Sequence, residues 1–197
     1  MGEYKINALT SQTWDAFADL CARNGGGGFG GCWCTWFHNA TMTERRACGG
    51  DDWRGYKERL VREGKAHAAL VFDDRTAVGW CQYGSPAELP GITHRKEVES
   101  AGQPLPDYRL GCFFVDRRYR GKGVSATALD GALTLIAKAG GGVVEAYPYD
   151  TAGKKVSASF LYNATRAMCE RAGFTYERPK GKNHCVMRKV ITAGSAQ

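Results

Sequence analysis

The sequence predicts an α/β domain with a mixed sheet, because strand-like and helix-like segments alternate along most of the chain. An apolar run at 110–115 has the length of a buried strand. Apolar segments on either side of 73–76 are typical of an antiparallel hairpin. A glycine turn at 120–123 follows the apolar run and leads into a helical pattern. The predicted order of elements is β-α-α-β-β-β-α-β-α-β-β.

Length and composition indicate one globular domain over residues 1–191, followed by a short flexible tail at 192–197. With 197 residues, of which 43% are hydrophobic, the chain can bury a single substantial core. Its formal net charge of +7 suits a polyanionic ligand, although a solvated basic surface gives the same count. The N-terminus does not resemble a signal peptide and no window approaches a membrane span. We therefore expect a cytoplasmic protein with no membrane partner.

The N-terminal half begins with a strand predicted at 4–9. A helix that carries Trp14 and Phe17 on one face follows it, with Thr10 or Ser11 as its cap. The aromatic segment 29–37 is expected to form a loop and a short strand.

A second helix at 53–63 precedes the hairpin, whose strands are predicted at 67–72 and 77–83. Four of the six prolines lie in the connection 84–107, which is expected to be ordered or to hold a short extra helix.

After the glycine turn, the pattern predicts a helix at 124–139 and a strand at 142–148. A further helix at 164–172 stops at a glycine. Strands at 174–178 and 185–190 then form a last hairpin.

The eight cysteines and two isolated histidines do not indicate a metal site. Cys81 and Cys112 lie in apolar runs, where a reduced and buried thiol is the ordinary role. The C-x-C at 32–34 has no second closely spaced pair, so packing is favoured over structural zinc and no metal is predicted. His38 and His184 are expected to have surface or structural roles.

The apolar run, the glycine turn and the helix at 124–139 together form a device that can hold a pyrophosphate. Glycines let the backbone approach an anion, while N–H groups at the helix start and the helix dipole attract it. The turn also carries side-chain charge, from Arg117, Arg118, Arg120 and Lys122. This pattern by itself is a weak signal, so other motifs must decide which ligand is meant.

Two motifs together resemble the GNAT acyltransferase superfamily. The first is Arg118-Tyr119-Arg120-Gly121-Lys122-Gly123, which follows an apolar strand and precedes a helix. The second is the short helix that ends in Gly173-Phe174 and leads into the last hairpin. The resemblance implies a mixed, mostly antiparallel central sheet flanked by helices and splayed between its fourth and fifth strands. A dinucleotide site is disfavoured because no βαβ unit opens the chain, and a Walker loop is excluded because Gly-Lys-Ser/Thr is missing.

The resemblance also implies acetyl-CoA as co-substrate. Backbone amides of the turn would bind its pyrophosphate, and the edge of the preceding strand would pair with the pantetheine arm like an added strand. The cofactor-binding residues that this implies are Phe113, Phe114, Val115, Arg118, Arg120, Gly121, Lys122, Gly123, Val124 and Ser125.

The chemistry implied by the resemblance is direct attack of an amine on the thioester. Family members often use a tyrosine in the helix before Gly-Phe as the acid, but the matching residue here is Cys169. Cys169 is then either a weaker donor or a packed thiol, and Tyr147 and Tyr162 are substitute acids. Glu145 and Asp107 are the candidate bases, and Glu145 is the more informative because a carboxylate in an apolar strand needs a partner. The alternative is that Glu145 lies at a strand edge or faces solvent.

The acceptor pocket in this fold is usually built by segments that correspond here to 25–52 and 179–183. Trp33, Trp36 and Phe37 are the candidate substrate-binding residues, since aromatic rings near carboxylates suit a cationic amine. The alternative is that the tryptophans belong to the core and the glycines are spacers.

The sequence thus predicts an N-acetyltransferase that moves acetyl from acetyl-CoA to a primary amine of a small molecule or peptide. A non-catalytic acyl-CoA-binding sensor or interaction module is the alternative, because the acid tyrosine is missing. Nucleic-acid binding through 117–122 is a third and less favoured hypothesis. A homodimer is compatible with all three.

Overall fold

A computed structural model describes residues 4–27, 31–99, 102–151 and 153–194. Six α-helices lie in these ranges: α1 (Trp14–Arg23), α2 (Met42–Gly49), α3 (Trp53–Arg62), α4 (Arg95–Glu99), α5 (Val124–Lys138) and α6 (Arg166–Arg171). The strands are β1 (Lys5–Ala8), β2 (His67–Asp73), β3 (Thr76–Gly84), β4 (Tyr108–Val115), β5 (Gly142–Ala146), β6 (Thr175–Lys180) and β7 (His184–Ile191). Short 3-10 helices occupy Trp36–His38, Arg117–Tyr119 and Ala158–Phe160.

The seven strands form one sheet in the order β1-β2-β3-β4-β5-β7-β6. Neighbouring strands are antiparallel except β4 and β5, which are parallel. β4 and β5 pair only at Tyr108–Val144 and Arg109–Glu145, after which β4 continues to Val115 without β5 beside it. The predicted mixed sheet, splayed between its fourth and fifth strands, is therefore confirmed.

The two faces of the sheet bury separate apolar clusters, which follow from the alternation of side chains along the strands. In β2, Ala69 and Val71 face the cluster that contains α5 and Phe174. Leu70 and Phe72 face the opposite cluster, where Phe17 of α1 packs on Trp80 with ring centroids 4.9 Å apart. Packing of Phe17 on Trp80 of β3 thus helps to hold α1 against the sheet.

Several boundaries in the N-terminal half differ from the prediction. The strand expected within 29–37 is absent over 31–37, where a 3-10 helix forms instead, and 28–30 lie outside the described residues. The cap of α1 is Thr13 rather than Thr10 or Ser11. α2 was not predicted, although Thr41 and Glu44 form a capping box at its start.

The helix before Gly173 is shorter than predicted. Ala164 has a φ of +70°, in the left-handed region, so the helix cannot begin there. α6 instead starts at Arg166, with the Thr165 side chain accepting from the N–H of Met168 at 3.2 Å. At the C-terminus, Gly194 N–H donates to Ala137 O at 2.9 Å, which ties the described part of the expected tail to α5; 195–197 lie outside the described residues. In the described ranges, no helix combines the length and the apolar character needed to cross a bilayer.

Candidate functional site

The turn between β4 and α5 has a backbone that glycine makes possible. Gly121 and Gly123 have φ angles of +73° and +81°, a region that costs other residues about 1–2 kcal/mol. A Cβ at either position would meet no atom of the described residues within 4 Å, so the conformation rather than crowding requires glycine. The open space also leaves the backbone of the turn accessible.

The start of α5 presents unpaired donors to that space. The N–H groups of Gly121, Lys122 and Gly123 donate no backbone hydrogen bond with ordinary geometry in the described part of the chain. Gly123 is the N-cap and has no side chain to cap the helix, and the first turn of α5 carries no acidic residue. Because α5 is 15 residues long, its dipole adds positive potential at this end. The arrangement fits an anion such as a pyrophosphate.

Asp116, directly after β4, holds the turn through hydrogen bonds with Arg118. Its carboxylate is almost fully buried and accepts from Arg118 N at 3.0 Å, Nε at 3.2 Å and a terminal nitrogen at 2.9 Å. The hydrogen bonds from Arg118 hold the pKa of Asp116 well below its usual range. Tyr119 donates to Asp73 at 2.9 Å, and Lys122 lies 5.1 Å from the Tyr119 ring centroid. Two of the predicted cationic ligands, Arg118 and Lys122, therefore have partners within the turn, while Arg120 is exposed.

A glycine in β3 lets the start of α5 approach the sheet. A Cβ at Gly79 would lie 2.7 Å from Val124 Cγ1 and 2.8 Å from Phe114 O. Val124 itself is 1% exposed and belongs to the core below α5. Gly79 thus fixes how close the turn lies to the end of β4.

The gap between β4 and β5 is lined by a segment that follows the 3-10 helix Ala158–Phe160. Tyr162 O accepts from Phe113 N–H at 2.7 Å, and the Asn163 side chain donates to Gly111 O at 2.7 Å. The strand edge expected to pair with an extended ligand is therefore partly occupied by the chain itself. Of the other edge residues, Phe114 stacks on Trp80 with centroids 4.6 Å apart, and Val115 is half-buried.

Glu145 lies fully buried at the closed end of the gap. Tyr147 donates its hydroxyl to one carboxylate oxygen. Arg188 donates to the other oxygen at 2.8 Å from Nε and 2.7 Å from a terminal nitrogen. Burial, and after it the charge of Glu145, raises the pKa of Tyr147. Arg109, the strand neighbour of Glu145, is 1% exposed and pairs with Glu99 at 3.3 Å. Glu145 and Tyr147 thus form one buried polar unit.

The other proposed catalytic residues are dispersed. Asp107 accepts from Val143 N–H at 2.7 Å and clips the start of β4 to β5. It lies six residues from Phe113, about 20 Å along an extended strand. Cys169 is fully buried in the core under α5, and burial raises the pKa of its thiol to about 12. Tyr162 is 38% exposed at the gap, and burial raises the pKa of its hydroxyl.

The three candidate substrate-binding aromatics have different environments. Phe37 is buried, with its ring centroid 6.3 Å from that of Tyr162. Trp33 packs partly on the α1 cluster, whereas Trp36 is 45% exposed. The Arg45 guanidinium lies 5.2 Å from the Trp36 ring centroid and 4.0 Å from that of Trp53. A cation of the chain itself therefore already covers part of this aromatic surface.

Sequence reasoning missed two buried lysines. Lys57 is 0% exposed and contacts His38, which also contacts Gln82. Lys180 is 2% exposed. Amphipathic spacing places Lys57 on the buried face of α3, but its partners are far away in sequence and no local pattern indicates them. Within the described ranges, no group of three or more His, Cys, Asp or Glu residues is arranged to hold a metal ion.

Comparison with solved structures identifies the fold. The chain is similar to a structure from Corynebacterium glutamicum described as histone acetyltransferase HPA2 and related acetyltransferase. The TM-score is 0.54 and the identity 14%, and the match covers 99% of this chain and 100% of that chain. It is similar to a protein described as belonging to the GNAT acetyltransferase family from Desulfovibrio desulfuricans, with a TM-score of 0.51, 17% identity and coverage of 96% and 100%. It is also similar to PaiA N-acetyltransferase from Thermoplasma acidophilum in complex with coenzyme A, with a TM-score of 0.50, 15% identity and coverage of 96% and 99%.

These likenesses, over nearly the whole chain, show that the protein has the GNAT fold. Comparison of the sequence with protein-family models gives no match, and comparison with curated proteins gives none either.

Proposed function

We propose that the protein is an acyl-CoA-dependent N-acetyltransferase that transfers acetyl from acetyl-CoA to a primary amine of a small molecule or peptide. The observation that carries the proposal is the glycine turn at the start of α5, whose N–H groups are unpaired. The turn follows the end of β4, where β5 no longer pairs with that strand. One of the similar structures, PaiA, holds coenzyme A in the same fold.

The turn and the strand edge have separate roles in this proposal. The N–H groups of Gly121, Lys122 and Gly123 bind the pyrophosphate, and Arg120 adds charge at the rim. The pantetheine arm pairs with β4. Phe113 N–H, which donates to Tyr162 O in the free protein, then donates to the thioester carbonyl instead. That hydrogen bond strengthens as negative charge develops on the oxygen during attack by the amine.

Glu145, Tyr147 and Tyr162 are the residues that we propose for proton transfer. Glu145 is positioned by Arg188 and connects through the Tyr147 hydroxyl toward the gap. Tyr162 lies at the gap itself and can protonate the leaving thiolate. Asp107 holds β5 at the far end of β4, and Cys169 packs in the core, so we give neither a step.

Thermal shift with acetyl-CoA tests the cofactor. At 100 times the dissociation constant a ligand stabilises the folded state by about 2.7 kcal/mol, which raises the melting temperature by about 5–10 °C for a chain of this size. Gly121→Glu should abolish the shift, because its carboxylate repels the pyrophosphate.

Gly64→Glu is the matched control for this substitution. Gly64 also has a left-handed φ, +66°, and open space around its Cβ position, so both variants carry the same backbone strain and charge. A parent protein whose melting temperature ignores acetyl-CoA, or a Gly121→Glu variant that responds like the control, contradicts the proposal.

A non-catalytic acyl-CoA sensor is the second candidate, because Cys169 stands where the resemblance expects an acid tyrosine. Release of CoA with a panel of primary amines separates the two functions. An enzyme releases CoA in an amine-dependent manner, whereas a sensor shows the thermal shift without turnover.

A further inference from the structure

The gap between β4 and β5 holds a segment of the chain itself. Tyr162 O accepts from Phe113 N–H and the Asn163 side chain donates to Gly111 O, each at 2.7 Å. Both contacts are made by the end of a surface segment, residues 153–163, which we call the strap. The strap thus occupies hydrogen-bonding positions of β4 at which β5 no longer pairs with this strand.

The opposite side of the same stretch is paired with the chain that follows β5. Ala164 O accepts from Tyr149 N–H at 3.1 Å, and Tyr149 O accepts from Arg166 N–H at 2.9 Å. Tyr149 and Thr165 also form a parallel bridge. Residues 162–165 therefore fill the space between β4 and the continuation of β5 in the manner of a short added strand.

The strap leaves the end of β4 that leads into the glycine turn uncovered. Asp116 N–H donates to Val78 O of β3 at 2.9 Å. Since successive residues of a strand direct their N–H groups to opposite sides, Val115 faces the gap, as Phe113 does. In the described residues, no hydrogen bond joins the strap to Val115 or to the turn at 120–123. An anion can therefore bind at the turn while the strap stays in place, whereas an extended arm that pairs with β4 as far as Phe113 cannot.

The strap is weakly attached between two firmly held ends. Among the described residues, it makes two hydrogen bonds beyond the turns at its own ends, and both are with β4. Residues 157–160 are exposed, and Phe160 is 57% exposed. Before the strap, Asp150 N–H donates to Asn183 O at 2.8 Å, and after it Ala164 is buried in the core under α5. A segment with so few contacts opens at a lower free energy than the sheet.

Left-handed residues flank the strap, and an open cavity lies beside it. Gly153 and Ala164 have φ angles of +78° and +70°, and the second is a strained conformation for alanine. The cavity has a volume of about 390 Å³ and is lined on one side by Lys154 and Phe160 and on the other by Asn183. None of its lining residues in the described chain belongs to β4. The strap therefore has space to move into when it leaves β4.

We propose that the strap is an internal competitor of the acyl carrier, which holds the thioester position closed in the free protein and is displaced by the acyl-bearing arm. This inference rests on the proposed function. The nucleotide end of the carrier binds at the turn, and the arm then takes over Phe113 N–H and Gly111 O. The Tyr162 ring packs on Phe37, with centroids 6.3 Å apart. Because this contact lies outside β4, it keeps the Tyr162 hydroxyl at the gap for its proposed role when the backbone leaves.

The two halves of the carrier respond differently to the strap. The apparent dissociation constant of a ligand that needs the open form equals its intrinsic value divided by the open fraction. Acetyl-CoA carries the arm and is subject to this penalty, whereas ADP, which has a pyrophosphate but no arm, is not. Loosening the strap should therefore tighten the binding of acetyl-CoA and leave that of ADP unchanged.

Asn163→Ala tests this difference, because it removes one of the two hydrogen bonds that hold the strap to β4. The loss of one hydrogen bond changes the closing equilibrium about fivefold. By isothermal titration calorimetry, the dissociation constant of acetyl-CoA should fall about fivefold, and that of ADP should stay at the parent value. Asn183→Ala is the matched control, at an exposed asparagine across the cavity whose side chain makes no hydrogen bond with the described residues. It should bind both ligands like the parent.

Two further measurements do not depend on calorimetry. In the free protein, Asn163→Ala should speed hydrogen exchange at Phe113 about fivefold and leave Cys81 of β3 unchanged. In the parent protein, trypsin should cleave after Lys154 and Lys155, which are exposed, faster with saturating acetyl-CoA than with saturating ADP, because only the arm frees the strap from β4. The parent experiment keeps the proposal testable if the variant is poorly folded.

The outcomes distinguish this inference from the proposed function. Equal dissociation constants for acetyl-CoA in parent and Asn163→Ala, with amine-dependent release of CoA by both, overturn the strap and leave the acetyltransferase. Weaker binding of acetyl-CoA by the variant, or an equal change for ADP, also overturns the strap, since Asn163 would then not oppose the arm. Equal rates of tryptic cleavage with the two ligands do the same. A parent protein that does not bind acetyl-CoA overturns the proposed function and the competition together.

Discussion

Replacing Lys180 by methionine should stabilise the protein at neutral pH and destabilise it at high pH. Lys180 is 2% exposed, donates to Thr93 Oγ1 at 2.8 Å and lies 5.2 Å from the Tyr147 ring centroid. Burial lowers the pKa of Lys180 from 10.5 to about 8. Its protonated form is therefore held in the folded state at a cost.

The magnitude follows from that pKa. The pKa of Lys180 is 10.5 in the unfolded chain and about 8 in the folded protein. At about 1.4 kcal/mol per pKa unit, this difference corresponds to about 3 kcal/mol. Below pH 8 the lysine is charged in both states, so the full cost applies; it disappears as the pH rises from 8 to 10.5, because only the unfolded chain still binds the proton. The hydrogen bond to Thr93 offsets about 1 kcal/mol. Lys180→Met should gain about 2 kcal/mol at pH 7 and lose about 1 kcal/mol above pH 10.5.

Urea unfolding of parent and variant from pH 6 to 10.5 measures this difference. The absolute curves also include buried thiols such as Cys169, whose raised pKa makes stability fall at high pH, so only the difference between variant and parent is informative. Lys182→Met, at an exposed lysine in the same hairpin, is the control and should show little change. A difference for Lys180→Met that is the same at every pH would refute the reasoning.

Three further substitutions test the architecture of the site. Gly79→Ala should lower the free energy of unfolding by about 1–3 kcal/mol through overpacking and should weaken the acetyl-CoA thermal shift, both measured by melting; a fully retained shift contradicts the role of the β3 glycine. Arg188→Met should cost about 3–5 kcal/mol in urea unfolding, because Glu145 remains buried without its cation, and the added Glu145→Gln should recover part of the loss; no recovery contradicts the ion pair. Asp116→Asn should lower the free energy of unfolding by about 1–3 kcal/mol at pH 7. Since the pKa of Asp116 is depressed in the folded state, the difference between parent and variant should shrink as the pH falls below about 4. A difference independent of pH contradicts that account.

Much of the fold could be predicted from local patterns. The β2–β3 hairpin and α5 carry uninterrupted apolar periodicity, so their positions agree with the structure to within one or two residues. α2 was missed because its residues are mostly polar and exposed, and Arg45 is its buried residue, so no apolar periodicity marks the helix. The Thr41 and Glu44 capping box was nonetheless present in the sequence and could have located its start.

The candidate site was predictable only where it is continuous in sequence. The glycine turn is one such segment, and its free N–H groups follow from the residues present. The surroundings of Lys57 are different, since Cys34 and His38 contact this lysine only through the packing of the 32–38 segment on α3. Sequence reasoning assigned His38 to a surface or structural role, because no local signal indicates that Lys57 contacts it.

The hydrogen bond from Phe113 N–H to Tyr162 O has a consequence for measurement. This amide lies in a central strand, but its acceptor belongs to the segment that fills the gap rather than to a neighbouring strand. Its hydrogen–deuterium exchange should therefore follow the opening of that segment instead of the unfolding of the sheet. In the free protein Phe113 should exchange faster than Cys81, which is paired between β2 and β4. A bound acyl carrier that takes over the hydrogen bond should slow the exchange of Phe113, which makes this amide resonance an indicator of whether the gap is occupied.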